Sequence, residues 1–352
     1  MTVFELDTPV VTIDLDRVEH NIAKLQAYCD EHGLKLRPHI KTHKLPLLAH
    51  KQLAAGAAGI TCQKLGEAEV MAAAGIRDIL ITYNIMGGRK TLRLARLAKL
   101  AAISVGIDNE VALAAVADAA ALAERPIDVL IEFESGKERQ GVVEPAQALE
   151  LAKRIAQDRY LRFQGLMSYP TGPRFEDWVD RAQDLFKAQR IPVTTISGGG
   201  TPGMWRSHEV SGLSEIRVGT YVYHDRATLS AGSATLDECA MNVHATVVSM
   251  PTDSRGVVDA GSKTLSSDLI GREHEEGYGL ILEYPEALIT SLSEEHGVVD
   301  FSRCRERPAV GERVRIVPNH ACVVSNLHDE VVAHRGGAIE AFLAVAARGK
   351  LR

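Results

Sequence analysis

Chemistry could begin in the run Arg37-Pro38-His39-Ile40-Lys41-Thr42-His43-Lys44, where a lysine stands between two histidines. A lysine amine freed of its proton adds to carbonyl carbon, so Lys41 is a candidate nucleophile; the same octapeptide also reads as a solvated loop lysine among polar neighbours. Ser197-Gly198-Gly199-Gly200-Thr201-Pro202 is a second candidate. Residues without Cβ let backbone N–H groups approach an anion closely, although a glycine run can equally be a tight turn. The third is His320-Ala321-Cys322. In an extended segment its imidazole and thiol point to the same side, and both are zinc ligands; a buried cysteine beside a capping histidine is the structural alternative.

The surrounding chain says how these groups are positioned. Pro9–Leu15 reads as a strand, and Asp16 as the N-cap of a helix from Arg17 to about His32. Short β-rich runs then recur at about 35–41, 59–64, 78–84, 102–108, 128–135, 162–169, 194–200 and 215–223. Ala- and Leu-rich helical segments separate most of them, including Leu65–Gly75, Lys90–Leu100, Glu110–Leu122, Pro145–Gln157 and Phe175–Gln189. Strands alternating with helices in this number predict a parallel (β/α)8 TIM barrel. An open doubly wound sheet is the rival, but it would carry its glycine-rich turn after the first strand, whereas here that turn is late. From about residue 240 the helical pattern stops and short β-type runs follow, which predicts an all-β domain. The expected division is residues 16–235 for the barrel and 1–15 with 236–352 for the β domain.

A barrel of this kind carries its chemistry at the C-terminal ends of its strands. Those ends are Lys41, Gln63, Asn84, the segment leading to Arg139, Tyr169, the turn Ser197–Thr201, and Gly219-Thr220-Tyr221. Loops after strands 7 and 8 are the usual phosphate cradle of this fold. A lysine opposite a phosphate cradle suggests pyridoxal 5′-phosphate, whose aldehyde needs an amine and whose phosphate needs an anchor. Lys41, Gln63, Arg139, Tyr169, Ser197, Gly199, Gly200, Thr201, Gly219, Thr220 and Tyr221 are therefore the expected cofactor-binding set. Each has a bland role too: Arg139 as a surface ion pair, Gln63 and Tyr169 as strand ends.

Composition excludes several classes. With 352 residues, 45% hydrophobic residues and a formal net charge of −6, the chain is an ordinary globular protein and no general nucleic-acid binder. No apolar run reaches the length of a membrane span and the N-terminus lacks signal-peptide character, so the expectation is a cytoplasmic protein without membrane partners. The five cysteines are scattered and form no C-x-x-C pair, which argues against a disulfide framework.

Taken together, the motif around Lys41, Ser197–Thr201, Val258-Asp259-Ala260-Gly261-Ser262-Lys263, Ser293-Glu294-Glu295-His296-Gly297 and Pro318-Asn319-His320-Ala321-Cys322 resemble the alanine-racemase-like, fold type III pyridoxal-phosphate enzymes. More narrowly they resemble the D-threonine aldolase and D-serine dehydratase family. The resemblance implies that Lys41 carries the cofactor as a Schiff base and that His320 and Cys322 bind a divalent metal, zinc or manganese. It implies a homodimer acting on a small D-amino acid. The reaction then needs a base for the β-hydroxyl proton, and a metal-bound hydroxide or His43, two residues from Lys41, are the candidates. Retro-aldol cleavage of a D-3-hydroxy amino acid is narrowly preferred. Cys322 leans toward dehydration to a 2-oxo acid and ammonia, while residues 261–268 and 326–330 look aldolase-like. Racemisation and a non-catalytic cofactor carrier are the remaining alternatives.

Overall fold

The computed structural model describes residues 1–270 and 277–352. The chain divides into two compact units, Met1–Ala23 with Thr42–Leu45 and Thr220–Arg348, and Lys24–Lys41 with Pro46–Gly219 and Gly349–Arg352. Strand β1 (Val10–Asp14) leads directly into helix α1 (Leu15–Glu31). The helix begins earlier than expected. Asp14, not Asp16, is the cap, because its Oδ1 accepts the backbone N–H of Asp16 at 3.0 Å and, more weakly, that of Arg17 at 3.4 Å.

The larger unit is a barrel. Strands β2 (Lys35–Leu36), β3 (Ile60–Cys62), β4 (Asp78–Ile81), β5 (Ala102–Ile107), β6 (Ile127–Glu132), β7 (Leu161–Met167), β8 (Thr195–Gly198) and β9 (Glu215–Ile216) form one parallel sheet in the order β2-β9-β8-β7-β6-β5-β4-β3. A parallel bridge between His39 and Thr61 joins its two ends. Pro38 explains why β2 is short. It has no N–H to donate, but its carbonyl accepts the N–H of Thr61, while Thr61 returns a bond to Ile40. Helices α2 (Pro46–Ala54), α3 (Leu65–Ala73), α4 (Gly88–Ala98), α5 (Glu110–Ala123), α6 (Pro145–Gln157) and α7 (Phe175–Ala188) are the crossovers. Their buried faces are mostly Ala, Leu and Val, the small and branched residues that pack on a sheet. Leu80, Leu130 and Met167 meet as a buried cluster. The expected barrel is therefore observed, together with a separate sheet domain. One expectation fails: residues 215–223 are not a full strand. Thr220–Val222 is a 3-10 turn, with the N–H groups of Tyr223 and His224 on the carbonyl of Thr220.

The second unit is built on a sheet that includes β1. It has nine strands among the described residues: β1, β10 (Met241–Ser249), β11 (Arg255–Val258), β12 (Gly279–Ile281), β13 (Leu288–Leu292), β14 (Gly297–Asp300), β15 (Arg313–Pro318), β16 (Glu330–Arg335) and β17 (Ala338–Ala344). β1 pairs antiparallel with β10 and parallel with β16, so the N-terminal strand joins this sheet as anticipated. Alternation sends Val11, Ile13, Val243, Ala245, Val314 and Ile316 to one face, where all are buried. The unit is not all-β. Helices α8 (Arg226–Ser230), α9 (Ser262–Leu265) and α10 (Ala321–Leu327) interrupt it. The sequence gives no helical signal for α10, since Val323 and Val324 favour strands and His320–Cys322 can be read as extended. Its start is fixed instead by Asp225, whose Oδ2 accepts the N–H of Ala321 at 3.0 Å while Oδ1 accepts that of Thr228 at the head of α8. Among the described residues, no helix is long and apolar enough to cross a membrane.

Candidate active site

Within the barrel unit, His39, Lys41, Gln63, Thr82, Glu132, Arg139, Met167, Tyr169 and Arg217 line one cavity. They come from the ends of several different strands, the arrangement this fold uses for catalysis. Lys41 Nζ lies 5.6 Å from the centre of the Tyr169 ring, and the Arg139 guanidinium 5.1 Å from the same ring. Behind Lys41 runs a hydrogen-bond chain. Its backbone N–H donates to His39 Nδ1 at 3.4 Å, which puts the proton of a neutral imidazole on Nε2. Nε2 then faces Gln63 Oε1 at 3.2 Å, and the Gln63 amide donates to the carbonyl of Thr82 at 3.0 Å.

The polar wall of the cavity is a buried ionic group. Glu132 accepts from Gln140 Nε2 at 2.6 Å and lies 3.6 Å from Arg139 Nη2. Burial pushes the Glu132 carboxyl up, against the pull of Gln140, Arg217 and Arg139. Arg217 donates from Nη2 to the carbonyl of Ser168 at 2.6 Å. Its Nη1 is buried and has no partner among the described residues. Burial lowers the pKa of Arg217, countered by Glu215 and Glu132. A buried guanidinium nitrogen lining a cavity calls for an acceptor, because an unpaired buried donor is costly.

The sequence-derived residues do not all gather there. Lys41, Gln63, Arg139 and Tyr169 line the cavity. Gly199, with φ of +90°, and Gly200 lead into the 3-10 helix Thr201–Glu209, so the triple glycine is a turn that needs one left-handed residue. The Ser197 hydroxyl is committed to Glu215 Oε1 at 2.7 Å, and the other Glu215 oxygen accepts from Arg37 Nε at 3.0 Å. Gly219 ends the barrel unit, whereas Thr220 and the fully buried Tyr221 belong to the sheet unit. His43 also belongs there, and its Nδ1 accepts the N–H of Leu45 at 3.0 Å. Sequence reasoning missed Glu132 and Arg217. Both are charged residues within runs that read as strands in the sequence, Glu132 at the end of β6 and Arg217 just past β9, and that was the available signal.

In the sheet unit, His320 and Cys322 converge, though not along an extended segment. His320 has extended backbone and precedes α10, while Cys322 lies in the first turn of that helix. His320 Nδ1 is 2.6 Å from Asp268 Oδ2, which leaves Nε2 for the hydrogen bond to Cys322. This bond to the cysteine, with the charge of Cys322, the hydrogen bond to Asp268 and the charge of Asp225, pushes the His320 imidazole up to about 9, against burial. Cys322 Sγ is 3.1 Å from Thr42 Oγ1 and 3.7 Å from Thr220 Oγ1. A carboxylate on the far nitrogen of a histidine is the usual outer partner of a metal-ligating imidazole. Among the described residues, no group of three or more His, Cys, Asp or Glu side chains is arranged to hold a metal. The donor set is thus one imidazole and one thiol.

Comparison with known proteins follows the same division. Residues 13–227 match the family of the alanine racemase N-terminal domain, and residues 240–334 match a serine dehydratase domain family. The D-threonine aldolase of Arthrobacter sp is 35% identical over 98% of this chain and 93% of its own length. The D-threo-3-hydroxyaspartate dehydratase of Delftia sp. (strain HT23) is 30% identical over 100% and 97% of the two chains. A cysteine-to-alanine variant of D-threo-3-hydroxyaspartate dehydratase in the metal-free form superposes with a TM-score of 0.83, at 28% identity over 98% and 99%. The crystal structure of D-threonine aldolase from Filomicrobium marinum superposes with a TM-score of 0.90, at 31% identity over 100% of this chain and 98% of that one. The chain belongs to the alanine-racemase-like family of pyridoxal-phosphate-dependent lyases that includes D-threonine aldolase and D-threo-3-hydroxyaspartate dehydratase.

Proposed function

We propose that this chain is a pyridoxal-phosphate- and divalent-metal-dependent lyase of D-3-hydroxy amino acids, with D-threonine aldolase as its principal activity. The reaction breaks the Cα–Cβ bond of D-threonine and yields glycine and acetaldehyde. The observation that carries this reading is the end-to-end similarity to D-threonine aldolase, 35% identical across 98% of the chain. Residues 16–235 are read as the cofactor-binding barrel and residues 1–15 with 236–352 as the metal-carrying domain of a cytoplasmic homodimer.

The cavity fits the cofactor. Arg217 Nη1, buried and without a partner among the described residues, is a donor for a ring acceptor, Tyr169 and Arg139 offer flat surfaces, and Lys41 offers the amine. Gly199, Gly200, Thr201 and Gly219 would hold the phosphate through their backbone. The metal would be held by His320 and Cys322, an imidazole and a thiolate suited to zinc. When bound, the cofactor accepts the electrons of the breaking bond at Cα and the metal acts as a Lewis acid on the β-oxygen. The chain's own residues handle protons and orientation. Lys41 takes and returns a proton at Nζ. His43, whose Nδ1 accepts the N–H of Leu45, handles the β-hydroxyl proton. His39 and Gln63 fix the backbone from which Lys41 projects.

Dehydration is the second reading, and Cys322 is the observation that favours it. The family resemblance associates a cysteine at this position with the dehydratases, and a D-threo-3-hydroxyaspartate dehydratase similar to this chain is known as a cysteine-to-alanine variant in the metal-free form. Racemisation has less support, because it needs a second base, usually a tyrosine, where this chain has Gly261-Ser262-Lys263, and Lys263 commits its amine to Glu295 at 2.7 Å and Glu294 at 3.0 Å. The test is product analysis with purified protein, pyridoxal phosphate, D-threonine and zinc or manganese. Glycine with acetaldehyde supports the aldolase, and 2-oxobutyrate with ammonia transfers the assignment to the dehydratase. Neither product, or visible cofactor absorbance that persists in Lys41→Ala, overturns the reading.

A further inference from the structure

One face of the sheet in the second unit is polar and nevertheless buried. The register Thr12↔Asn242, Val10↔His244, His244↔Arg315 and Asp14↔His334 places these polar side chains on the face opposite the apolar core. Such a face of an antiparallel sheet ordinarily meets water. Here Thr12, Asn242, His244 and His334 are each less than a tenth exposed. The N-terminal 3-10 turn Val3–Glu5 covers them, tied down by Val3 N–H on Gly337 O at 2.9 Å and by Arg313 Nη1 on Val3 O at 2.8 Å. Phe4 sets its ring edge-on to His244 at 5.8 Å. Between cover and sheet is a cavity of about 240 Å³ that shares no residue with the one around Lys41.

The lining of this cavity is built for a ligand. His244 Nδ1 and Asn242 Oδ1 are both buried and have no hydrogen-bond partner among the described residues. Two such groups on one wall are unusual, because buried polar atoms are nearly always paired. Arg315 uses Nε on Glu283 at 2.7 Å, and neither of its Nη nitrogens has a partner among the described residues. Arg17 is the other guanidinium, donating from Nη1 to the carbonyl of Cys239 at 2.9 Å. The one acid in the lining, Asp14, already accepts the N–H groups of Asp16 and Arg17. The local field is positive: after burial, Arg313, Arg315 and His334 are what depress His244. The volume equals that of about eight waters, room for a small solute.

The geometry points to a second binding site in this cavity for a small oxyanion, carboxylate or phosphate, held by the Arg315 fork and by the side chains of His244 and Asn242. An arginine fork matches the two oxygens of either group. The amide of Asn242 and the imidazole of His244 each donate or accept according to orientation and tautomer, so both can turn a donor to the anion.

The test uses the full-length holoenzyme, whose cofactor phosphate already occupies the barrel, and takes the His244 resonances and the cavity variants, which anion bound at the active site does not touch, as the report on this cavity. Inorganic phosphate and malonate are titrated in parallel to tens of millimolar, with calorimetry for affinity and NMR for the imidazole resonances of His244, assigned by comparison with His244→Asn. Saturable binding that shifts His244 and weakens about tenfold or more in Arg315→Gln is expected. Which anion binds more tightly identifies the source of the group. Should Arg315→Gln fold poorly by circular dichroism, Asn242→Ala carries the same comparison without changing charge. No shift of His244, or equal affinity in wild type and both variants, would overturn the site and leave a cavity that holds water.

Discussion

Cys322 holds its sulfur 3.1 Å from the hydroxyl of Thr42, the residue that follows Lys41 in the chain. The proposed nucleophile and a neighbour of the proposed metal ligand are therefore joined by one peptide bond. A hydroxyl donating to a thiolate fixes the sulfur and tempers its basicity. Thr42→Val keeps the shape and removes that donor. Outer partners of metal ligands are commonly worth about 10- to 100-fold in affinity, so Thr42→Val should weaken zinc binding by about tenfold or more, read by competition with a chelating indicator. Unchanged zinc affinity would remove Thr42 from the metal site.

Two barrel glycines should respond differently to the same methyl group. A Cβ on Gly106 would meet Met167 Sδ at 2.7 Å, the end of a flexible side chain that can turn aside. A Cβ on Gly165 would lie 1.9 Å from the carbonyl oxygen of Thr195, on the neighbouring strand. Backbone cannot yield without opening the β7–β8 ladder. Gly106→Ala should cost about 1 kcal/mol and Gly165→Ala about 3 kcal/mol or more, measured by urea unfolding. Equal costs would mean that the strand pair is more compliant than its register implies.

The barrel was legible because its strands are apolar and its helices Ala-rich, and because the period switches between them at regular spacing. The pocket was half legible. Lys41, Gln63, Arg139 and Tyr169 stand at strand ends that counting alone locates. Glu132 and Arg217 were hidden inside runs such as Ile216-Arg217-Val218, where an apolar pattern absorbs a single charge. Thr220 and Tyr221 were misread as strand because a buried apolar run does not distinguish a strand from a 3-10 turn. The motif His320-Ala321-Cys322 was found, but its helical start depends on Asp225, nearly a hundred residues away in the chain. Local propensity carries no trace of such a distant cap.

Acid should loosen the sheet unit through His244. Burial first, then Arg313, Arg315 and His334, pushes its pKa from 6.5 down to about 4. The unfolded chain binds the proton near 6.5 and the folded chain does not, so stability is complete above that value. It falls as the pH drops toward 4 and levels off below. The shift corresponds to about 3 kcal/mol at most. His328 and His334, also lowered by burial, act in the same sense, so the difference between wild type and His244→Asn isolates the contribution of His244. Urea unfolding across this range, without added phosphate or carboxylate, should show a steeper loss in the wild type. Parallel pH profiles would place the His244 pKa near its ordinary value in the folded protein.

The choice of metal should follow the chemistry of position 322. Thiolate is a soft ligand that selects zinc over harder ions, and a carboxylate narrows that preference in favour of manganese. Cys322→Asp is small enough for the first turn of α10, where Asp225 continues to hold the N–H of Ala321. His320 keeps its outer partner Asp268 at 2.6 Å, so only the second donor changes. Zinc affinity should fall by about tenfold or more while manganese affinity is retained or improved. The check is to strip the holoenzyme with a chelator, restore zinc or manganese, and measure both bound metal and products from D-threonine. An aldolase whose metal only polarises the β-oxygen should regain activity with manganese in the variant. A variant with the zinc preference of the wild type would show that Cys322 does not ligate the metal, and His320 would then need another partner.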